Sequence, residues 1–588
     1  MITYVNIVSM NKNIYIDTRI DNLIVSIVPK ELNKNLLNTI EKKITKKYGN
    51  KCYNNVGYIM KNSIKLLSHN LIKVSGSTTT SLMTCTASIK CTVCRPYIDA
   101  IIKCYVINKI ESAYLAYYGP LVIYIRRKDT DTEDLKIRQV INVEVKQMRF
   151  NEDSINIFAQ FVSLSEELNY YELPQNSSDI VFVDTIKYTT DLQNYEYMED
   201  AGHSIVVKTK KQEINSVSNW RFIRDLINPY ELIFPSKYYN ESIVDKTAFY
   251  ESINALGDKS IKINNMINRA YFKIWEIIHD KKENKWGDVI SNFNNQPITV
   301  LGMAEAPGGF LQAIIDSRLK NSQDKFTKDD IYRGISLKSE DIQWNTEVLD
   351  AYKNKFGLNF EYGYGTENGD LREVEEQLFI KESLLENKKA EIIFADGGMD
   401  VSEDYYSQEV QNHKLFYSEI IIALSNQAVG GVFIMKCYDL YTMLSIQYLT
   451  ILKNYYDKVY IIKPDLSRPA NSEKYIVALN YNGQFSKAQE KKSLDLLTRW
   501  DNEKYILELL TNVDNNIIGS MKFINDYFSG RQMEFIDNGL MVYGDGEGFK
   551  QKNNQLNYKE AQKQACLKWC ANYEIPSKEI ELRVITYR

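Results

Sequence analysis

The chain has little of several things. Only four of its 588 residues are histidine (His69, His203, His279, His413), eight are cysteine and eleven are proline. So few histidines leave little material for a histidine-rich metal centre. Eight cysteines without paired framework spacing do not form a disulfide scaffold, and they suit a reducing compartment as free thiols. No apolar run reaches the length of a membrane span, and the N-terminus lacks the basic, apolar and small-residue series of a secretory signal. A soluble, intracellular protein is expected. There is no excess of basic charge either: 72 Lys and Arg against 76 Asp and Glu give a net charge of -4. Any nucleic-acid site must therefore be a local patch.

One cysteine group needs separate mention. Cys91 and Cys94 form a CxxC with Cys85 and Cys104 nearby, which raises zinc. Thr-Val fills that CxxC, Arg-Pro follows it and no second CxxC comes later, so cysteines packed inside strands are the competing reading and no metal is expected. Cys566 and Cys570, four apart on a probable helix, read as core.

At this length two or three domains are expected. The first part has a helix-like run, Leu32 to Lys47, and then β-rich segments at Ile89 to Ile110, Ala113 to Arg127, Val140 to Phe150 and Ser154 to Ser163. Short strands at this spacing, with a Gly-Pro turn at Gly119 and Pro120, predict a small antiparallel barrel of OB type within an α+β region, 1–170. A generic β domain used for packing remains the alternative. Residues 171–215 read as a polar linker; its basic run Lys208 to Lys211 could meet phosphates or simply be solvated. From 216 to 487 strands alternate with helices, which predicts an α/β, Rossmann-like sheet of seven strands: Ile298 to Met303, Ile331 to Leu337, Phe360 to Gly363, Ala390 to Asp396, Gly431 to Lys436, Lys458 to Lys463 and Lys474 to Asn480. The remainder, 488–588, reads as helix-rich, with amphipathic runs at Leu494 to Val513 and Tyr558 to Ile575. Packing is its default role, and a docking surface for a partner the alternative.

In doubly wound sheets ligands bind outside the carboxyl ends of the strands. The first strand ends in Glu305, Ala306, Pro307, Gly308 and Gly309 before a helix begins near Phe310. Glycines there let the backbone approach a ligand, and a helix N-terminus offers N-H groups to a carboxylate or phosphate. Such a turn alone could equally serve a dinucleotide or a tight bend. Ser336 and Leu337 end the second strand. Asp370, after the third, could accept a hydrogen bond from an adenine amine or be a solvated loop residue.

Four charges carry the chemistry: Lys273, Asp396, Lys436 and Glu473. A ribose hydroxyl is a poor nucleophile and needs a base. A desolvated lysine beside another cation can be that base, because both effects disfavour its ammonium. Lys436 beside Lys273 would meet this condition, with Asp396 and Glu473 balancing charge. Ordinary surface salt bridges are the alternative for any one of the four.

The segments NRAYFKIWEI (Asn268 to Ile277), EAPGGF, GISLK, GDL, FADGGMDVSED, GGVFIMKCYDL and SRPANSEKYIVAL resemble FtsJ-like ribose methyltransferases. Within these, with NPYE at Asn228 to Glu231, they look most like cap-specific mRNA 2'-O-methyltransferases over about 225–485. The resemblance implies S-adenosylmethionine as cofactor and capped mRNA as substrate, methylated on its first transcribed nucleotide by the Lys273, Asp396, Lys436, Glu473 tetrad. It implies a cofactor site on Gly302, Glu305, Ala306, Pro307, Gly308, Gly309, Ser336, Leu337, Asp370 and Asp396. Arg269, Ser467, Arg468 and Ser472 would meet the RNA. Separately, Lys30 to Cys52, Cys91 to Val106 with its Arg95-Pro96, and Tyr117 to Ile125 are similar to the stalk subunit of multisubunit RNA polymerases over about 14–170. That implies capping coupled to transcription, with an RNA polymerase and other capping enzymes as partners. Such a fusion would fit the cytoplasm or virion of a large DNA virus. A polymerase subunit with a non-catalytic methyltransferase scaffold, or methylation of ribosomal or transfer RNA, are the alternatives.

Overall fold

The computed structural model describes residues 14–582 except 29–30, 32–35, 54–55, 61–63, 71–72, 76–81, 119, 128–134, 136–139, 153, 165–169, 175–181, 190–212, 215, 236–240, 255–265, 280–288, 290, 322–327, 399–406, 501–504, 512, 514 and 545–547. The basic run Lys208 to Lys211 and Gly119 lie outside the described residues. The chain divides into two compact units, one of residues 1–178 with 512–527, the other of 179–511 with 528–588.

The first unit opens with a long strand, β1 (Tyr15–Ile27), and a helix, α1 (Leu36–Tyr48). Four short strands follow: β2 (Lys51–Tyr53), β3 (Gly57–Ile59), β4 (Lys65–His69) and β5 (Lys73–Ser75). They share an antiparallel sheet with β1 and β6 (Leu82–Cys94). Ile40 and Ile44 of α1 pack with Leu23, Val25 and Ile89 from that sheet, so alternate strand residues bury one face under the helix. The predicted β-segment Ile89 to Ile110 is in fact two strands in two sheets. Proline has no N-H to donate to a ladder; β6 ends before Arg95 and Pro96, and the chain turns at Ile98 and Asp99 before β7 (Ile101–Lys109).

The strands β7, β8 (Ala113–Tyr118), β9 (Leu121–Arg126), β10 (Val140–Phe150) and β11 (Ile155–Leu164) close a five-stranded barrel. Its neighbours run β7-β8-β9-β11-β10 and back to β7, with β9 and β11 parallel and the other pairs antiparallel. Ile123, Ile125, Val143, Val145 and Ile157 fill the interior by period-two alternation. Cys85, Cys91, Cys94 and Cys104 are all buried in β6 and β7. Burial pushes each thiol up, Cys91 to about 12. Among the described residues no three His, Cys, Asp or Glu side chains group as a metal site. A short strand, β12 (Tyr170–Glu172), follows.

In the second unit β13 (Phe182–Thr189), within the stretch read as a linker, pairs antiparallel with β21 (Tyr505–Leu510). The run Leu494 to Val513, read as one amphipathic helix, is therefore a helix only to Thr498 and then a strand. The strands β14 (Thr299–Met303), β15 (Ile331–Ile335), β16 (Asn359–Gly363), β17 (Ala390–Ala395), β18 (Gln427–Cys437), β19 (Tyr456–Ile462) and β20 (Lys474–Tyr481) lie side by side in the order β19-β20-β18-β17-β14-β15-β16. Pairs from β16 to β18 are parallel, and β20 alone is reversed. Parallel strands covered on both faces read as continuous apolar runs, and all five residues of β14 are buried. Order reverses between β14 and β17, so their carboxyl ends flank the crevice where such sheets bind ligands.

Helices are set by ordinary signals. Helix Thr346–Phe356 starts under Asn345, whose side chain accepts from Val348 N, and ends on Gly357 at φ 63°. The C-terminal helix Lys552–Asn572 belongs to the second unit, where the amide of Gln562 donates to the carbonyls of Asp225, Leu226 and Asn228. Among the described residues no helix is long and apolar enough to cross a membrane.

Candidate active site

Three strand ends and one helix deliver the charged set to one edge of the sheet. Asp396 follows β17 directly, Lys436 is the penultimate residue of β18, and Glu473 precedes β20. Because β20 runs backwards, its start lies at the same edge as the carboxyl ends of the others. Lys273 comes from the buried helix Ala270–Ile278.

They form two pairs. Lys273 Nζ lies 2.7 Å from Glu473 Oε1, and Lys436 Nζ lies 3.3 Å from Asp396 Oδ1 while donating to the Asp396 carbonyl at 2.5 Å. The Ser467 hydroxyl donates to Glu473 Oε1 at 2.9 Å and the Tyr475 hydroxyl to Asp396 Oδ1 at 3.1 Å. Burial would raise the Glu473 carboxyl, but Lys273, Lys436 and Lys463 hold it down at about 2. The expectation for Lys436 needs correction. Burial does pull its ammonium down, yet Asp396, Tyr438 and Glu473 more than offset this, so it is held above the ordinary lysine range. The nearest charges to Lys436 are carboxylates, with Lys273 already engaged by Glu473.

Behind this edge lies Glu419, fully buried, with neither carboxylate oxygen placed for a good hydrogen bond. Burial pushes its carboxyl up to about 8, Asp396 adding to that and Lys436 opposing it. A side chain on Gly397 would collide with it at 2.2 Å, which is why glycine follows Asp396.

The loop after β14 is shaped by Glu305. This buried residue turns back so that Oε1 accepts from Phe310 N at 2.5 Å and Leu311 N at 3.2 Å, capping the helix Gly309–Asn321. Two N-H groups expected to be open to a ligand carboxylate are thus taken by the chain itself. Burial raises the Glu305 carboxyl well above its usual range, and Oε2 is buried without a hydrogen bond. The Ala306-Pro307 bond is cis and Gly308 sits at φ 111°. Ser336 Oγ accepts from Ala306 N at 3.3 Å, and a side chain on Gly369 would strike the Ser336 carbonyl at 2.0 Å. Backbone from the ends of β14, β15 and β16 therefore converges at close range. A side chain on Gly302 would meet the Phe394 ring at 2.7 Å, a packing constraint between strands. Leu337 is exposed beside this loop. Asp370 is clasped by Arg372 at 2.7 and 2.9 Å; burial would raise its carboxyl, but Arg372 holds it below the usual range.

The arginines form a separate group. Glu231, fully buried, holds Arg269 Nη1 at 2.9 Å, lies 3.6 Å from Arg468 Nη2, and accepts from Asn228 Nδ2 at 2.6 Å. Asp225 pairs with Arg224 at 2.7 Å and lies 3.8 Å from Arg468 Nε. Arg269 Nη2 is buried without a hydrogen bond. The two serines expected to face RNA are both buried. Ser467 is buried on Glu473, and Ser472 is buried with its hydroxyl unpartnered. Arg468 alone of those three has an open side chain, at 32% exposure.

Sequence reading missed Tyr475, Glu419, Arg372 and Lys463. Tyr475 lies within the quoted segment SRPANSEKYIVAL and Arg372 follows GDL, so neighbourhood was their only signal. Glu231 was visible within NPYE, but its partners Arg269 and Arg468 are far away in sequence.

Among known proteins, residues 266–481 match the family model described as FtsJ-like methyltransferase. Among relatives, a probable methyltransferase of African swine fever virus is 25% identical over 296 residues, covering 47% of this chain and 64% of that protein. The cap-specific mRNA (nucleoside-2'-O-)-methyltransferase 1A of Caenorhabditis briggsae is 25% identical over 236 residues, covering 37% and 26%. The cap-specific mRNA (nucleoside-2'-O-)-methyltransferase 1 of Pongo abelii is 23% identical over 321 residues, covering 52% and 34%. The chain spans less than two thirds of the length of each of these. A solved putative ribosomal RNA methyltransferase from Plasmodium falciparum aligns at 22% identity and a TM-score of 0.25, over 37% of this chain and 99% of that one.

Proposed function

We propose that this chain is an S-adenosylmethionine-dependent RNA 2'-O-methyltransferase acting on the first transcribed nucleotide of capped mRNA. One observation carries the reading. Two lysine-carboxylate pairs, Lys273 with Glu473 and Lys436 with Asp396, stand at the switch-point edge of the sheet, within the segment similar to FtsJ-like methyltransferases. The relatives named for cap methylation support the substrate.

The residues at the crevice fit the cofactor. The loops after β15 and β16 approach closely at Ser336 and Gly369 beside the crevice, Leu337 offers an apolar wall, and Glu305 Oε2 is buried without a hydrogen bond. Gly302, Ala306, Pro307, Gly308, Gly309, Ser336, Leu337, Asp370 and Asp396 would hold it. When bound, S-adenosylmethionine supplies an electrophilic methyl group and a positive charge. Lys436 takes the 2'-hydroxyl proton at Nζ and must first give up its own, so it needs a cationic neighbour to offset its carboxylates. Glu473 holds Lys273, and both orient the ribose; positioning supplies much of the remaining acceleration. Arg269 and Arg468, gripped by Glu231 and Asp225, would meet RNA phosphates.

The barrel of the first unit we take as OB type, supported by its first-second-third-fifth-fourth strand order with the third and fifth parallel. With the resemblance of 14–170 to a polymerase stalk subunit, this supports coupling of cap methylation to a multisubunit RNA polymerase.

The test is methyl transfer from labelled S-adenosylmethionine to short RNAs bearing a 7-methylguanosine cap, an unmethylated cap or a 5'-triphosphate. Transfer to the first ribose of capped RNA, reduced roughly 10²- to 10⁴-fold in Lys436→Ala, is expected. No transfer to any RNA despite cofactor binding would refute the proposal.

A further inference from the structure

Lys463 follows β19 directly and helps to hold the Glu473 carboxyl down. Its Nζ is surrounded by five oxygens: Asn471 Oδ1 at 2.6 Å, the carbonyls of Asn471 and Glu473 at 2.8 Å each, and Ser467 Oγ and the Arg468 carbonyl at 3.2 Å each. All four of these residues lie in the connection 464–473 between β19 and β20. An ammonium has three donors and no acceptor, so it can serve several oxygens at once, whereas a neutral amine would turn a lone pair towards one of them. Burial and the neighbouring cations Lys474, Lys273 and Arg531 pull the Lys463 ammonium down, with Glu473 opposing. The ring of oxygens works against that pull as well.

Two of the five contacts reach the candidate catalytic carboxylate by different routes. Lys463 holds the Glu473 backbone through its carbonyl, and it holds Ser467, whose hydroxyl bonds Glu473 Oε1 at 2.9 Å. Glu473 is thereby fixed at its main chain and at its carboxylate by one side chain, from the residue after β19. A solvated lysine would not be closed in by five oxygens, and a lysine that only steadied the sheet would not touch four residues of a single loop.

We propose that Lys463 is a positioning residue for Glu473: its ammonium cross-links the connection 464–473 and sets the place at which the Glu473 carboxylate meets Lys273 and the ribose. This rests on the methyltransferase reading above.

The experiment uses the full chain with Lys463→Met and Lys463→Arg, reading hydrogen exchange by mass spectrometry and the pH profile of methyl transfer. In Lys463→Met, faster exchange confined to 464–473 and a fall in kcat of roughly a hundredfold are expected, the size of a small misplacement. The acid limb of its profile, set by loss of the Lys436 proton, should also move to higher pH, because one of the cations that share Glu473 with Lys436 is gone and the Lys436 ammonium is then harder to deprotonate. Lys463→Arg keeps the charge but not the fit, so its rate should fall with the acid limb in place. Wild-type exchange and wild-type rate in Lys463→Met would overturn the proposal. So would loss of protection throughout the second unit, or failure of both variants to fold cooperatively, since either makes Lys463 a general fold residue. If the wild type transfers no methyl group while exchange changes as expected, the methyltransferase reading fails and the loop contact is supported.

Discussion

Replacing Glu473 by glutamine keeps size and shape while removing the charge that holds Lys273. In the folded chain the Glu473 carboxyl sits at about 2, against an ordinary 4.5. Each unit of difference is about 1.4 kcal/mol, so ionised Glu473 stabilises the folded state by about 3 kcal/mol at neutral pH. The sign follows from a lowered folded value: the contribution is fully present above pH 4.5 and is lost as pH falls towards 2. By pH ~3 it is about 1.4 kcal/mol. Tryptophan fluorescence isolates the right part of the molecule, because Trp220, Trp275, Trp286, Trp344, Trp500 and Trp569, all six in the chain, belong to the second unit. Urea unfolding followed by fluorescence should therefore show Glu473→Gln weaker than wild type by about 3 kcal/mol at pH ~7, with less than half of that gap remaining at pH ~3. A gap below about 1 kcal/mol at neutral pH, the range of an exposed ion pair, would refute the argument, as would a gap indifferent to pH.

Two further outcomes follow from the same geometry. Glu419→Gln should flatten a pH dependence: the wild-type carboxyl is raised to about 8, so it costs stability as pH rises from 4.5 to about 8, and a neutral amide does not. Wild-type and variant urea midpoints that drift equally over that window would contradict this. Arg468→Ala should weaken RNA binding across sequences and reduce the slope of log affinity against log salt by about one; an unchanged slope in a filter-binding series would remove Arg468 from the phosphate contacts.

The second unit was legible where burial dictates composition. Strands such as Thr299–Met303 and Ala390–Ala395 are enclosed on both faces, so they appear as unbroken apolar runs between turns. Strand β21 was not, because Tyr505–Leu510 continues the apolar spacing of the helix before it and its partner β13 lies more than 300 residues earlier. The long strand β1 has polar residues on one face and was passed over for the same lack of a continuous run. At the site, residue types and order pointed to the two lysines and two carboxylates, but not to who pairs with whom. Reading Lys436 as lowered by Lys273 assumed that like charges were nearest neighbours; in the fold each lysine faces a carboxylate. The roles of Ser467 and Lys463 depend on how one loop closes on itself, which spacing along the chain does not encode.

The reversed strand β20 has a consequence for how such a site can diversify. Every other connection at the ligand-binding edge continues into a crossover that must return the chain to the far side of the sheet. The segment 464–473 leaves β19 and enters β20 at that same edge, a hairpin with both feet beside the chemistry. Its tip can be lengthened, shortened or recharged without moving a helix or shifting a strand register. Under the proposed function, substrate preference can change at those residues of this connection that Lys463 does not hold, while the ones that place Glu473 stay fixed.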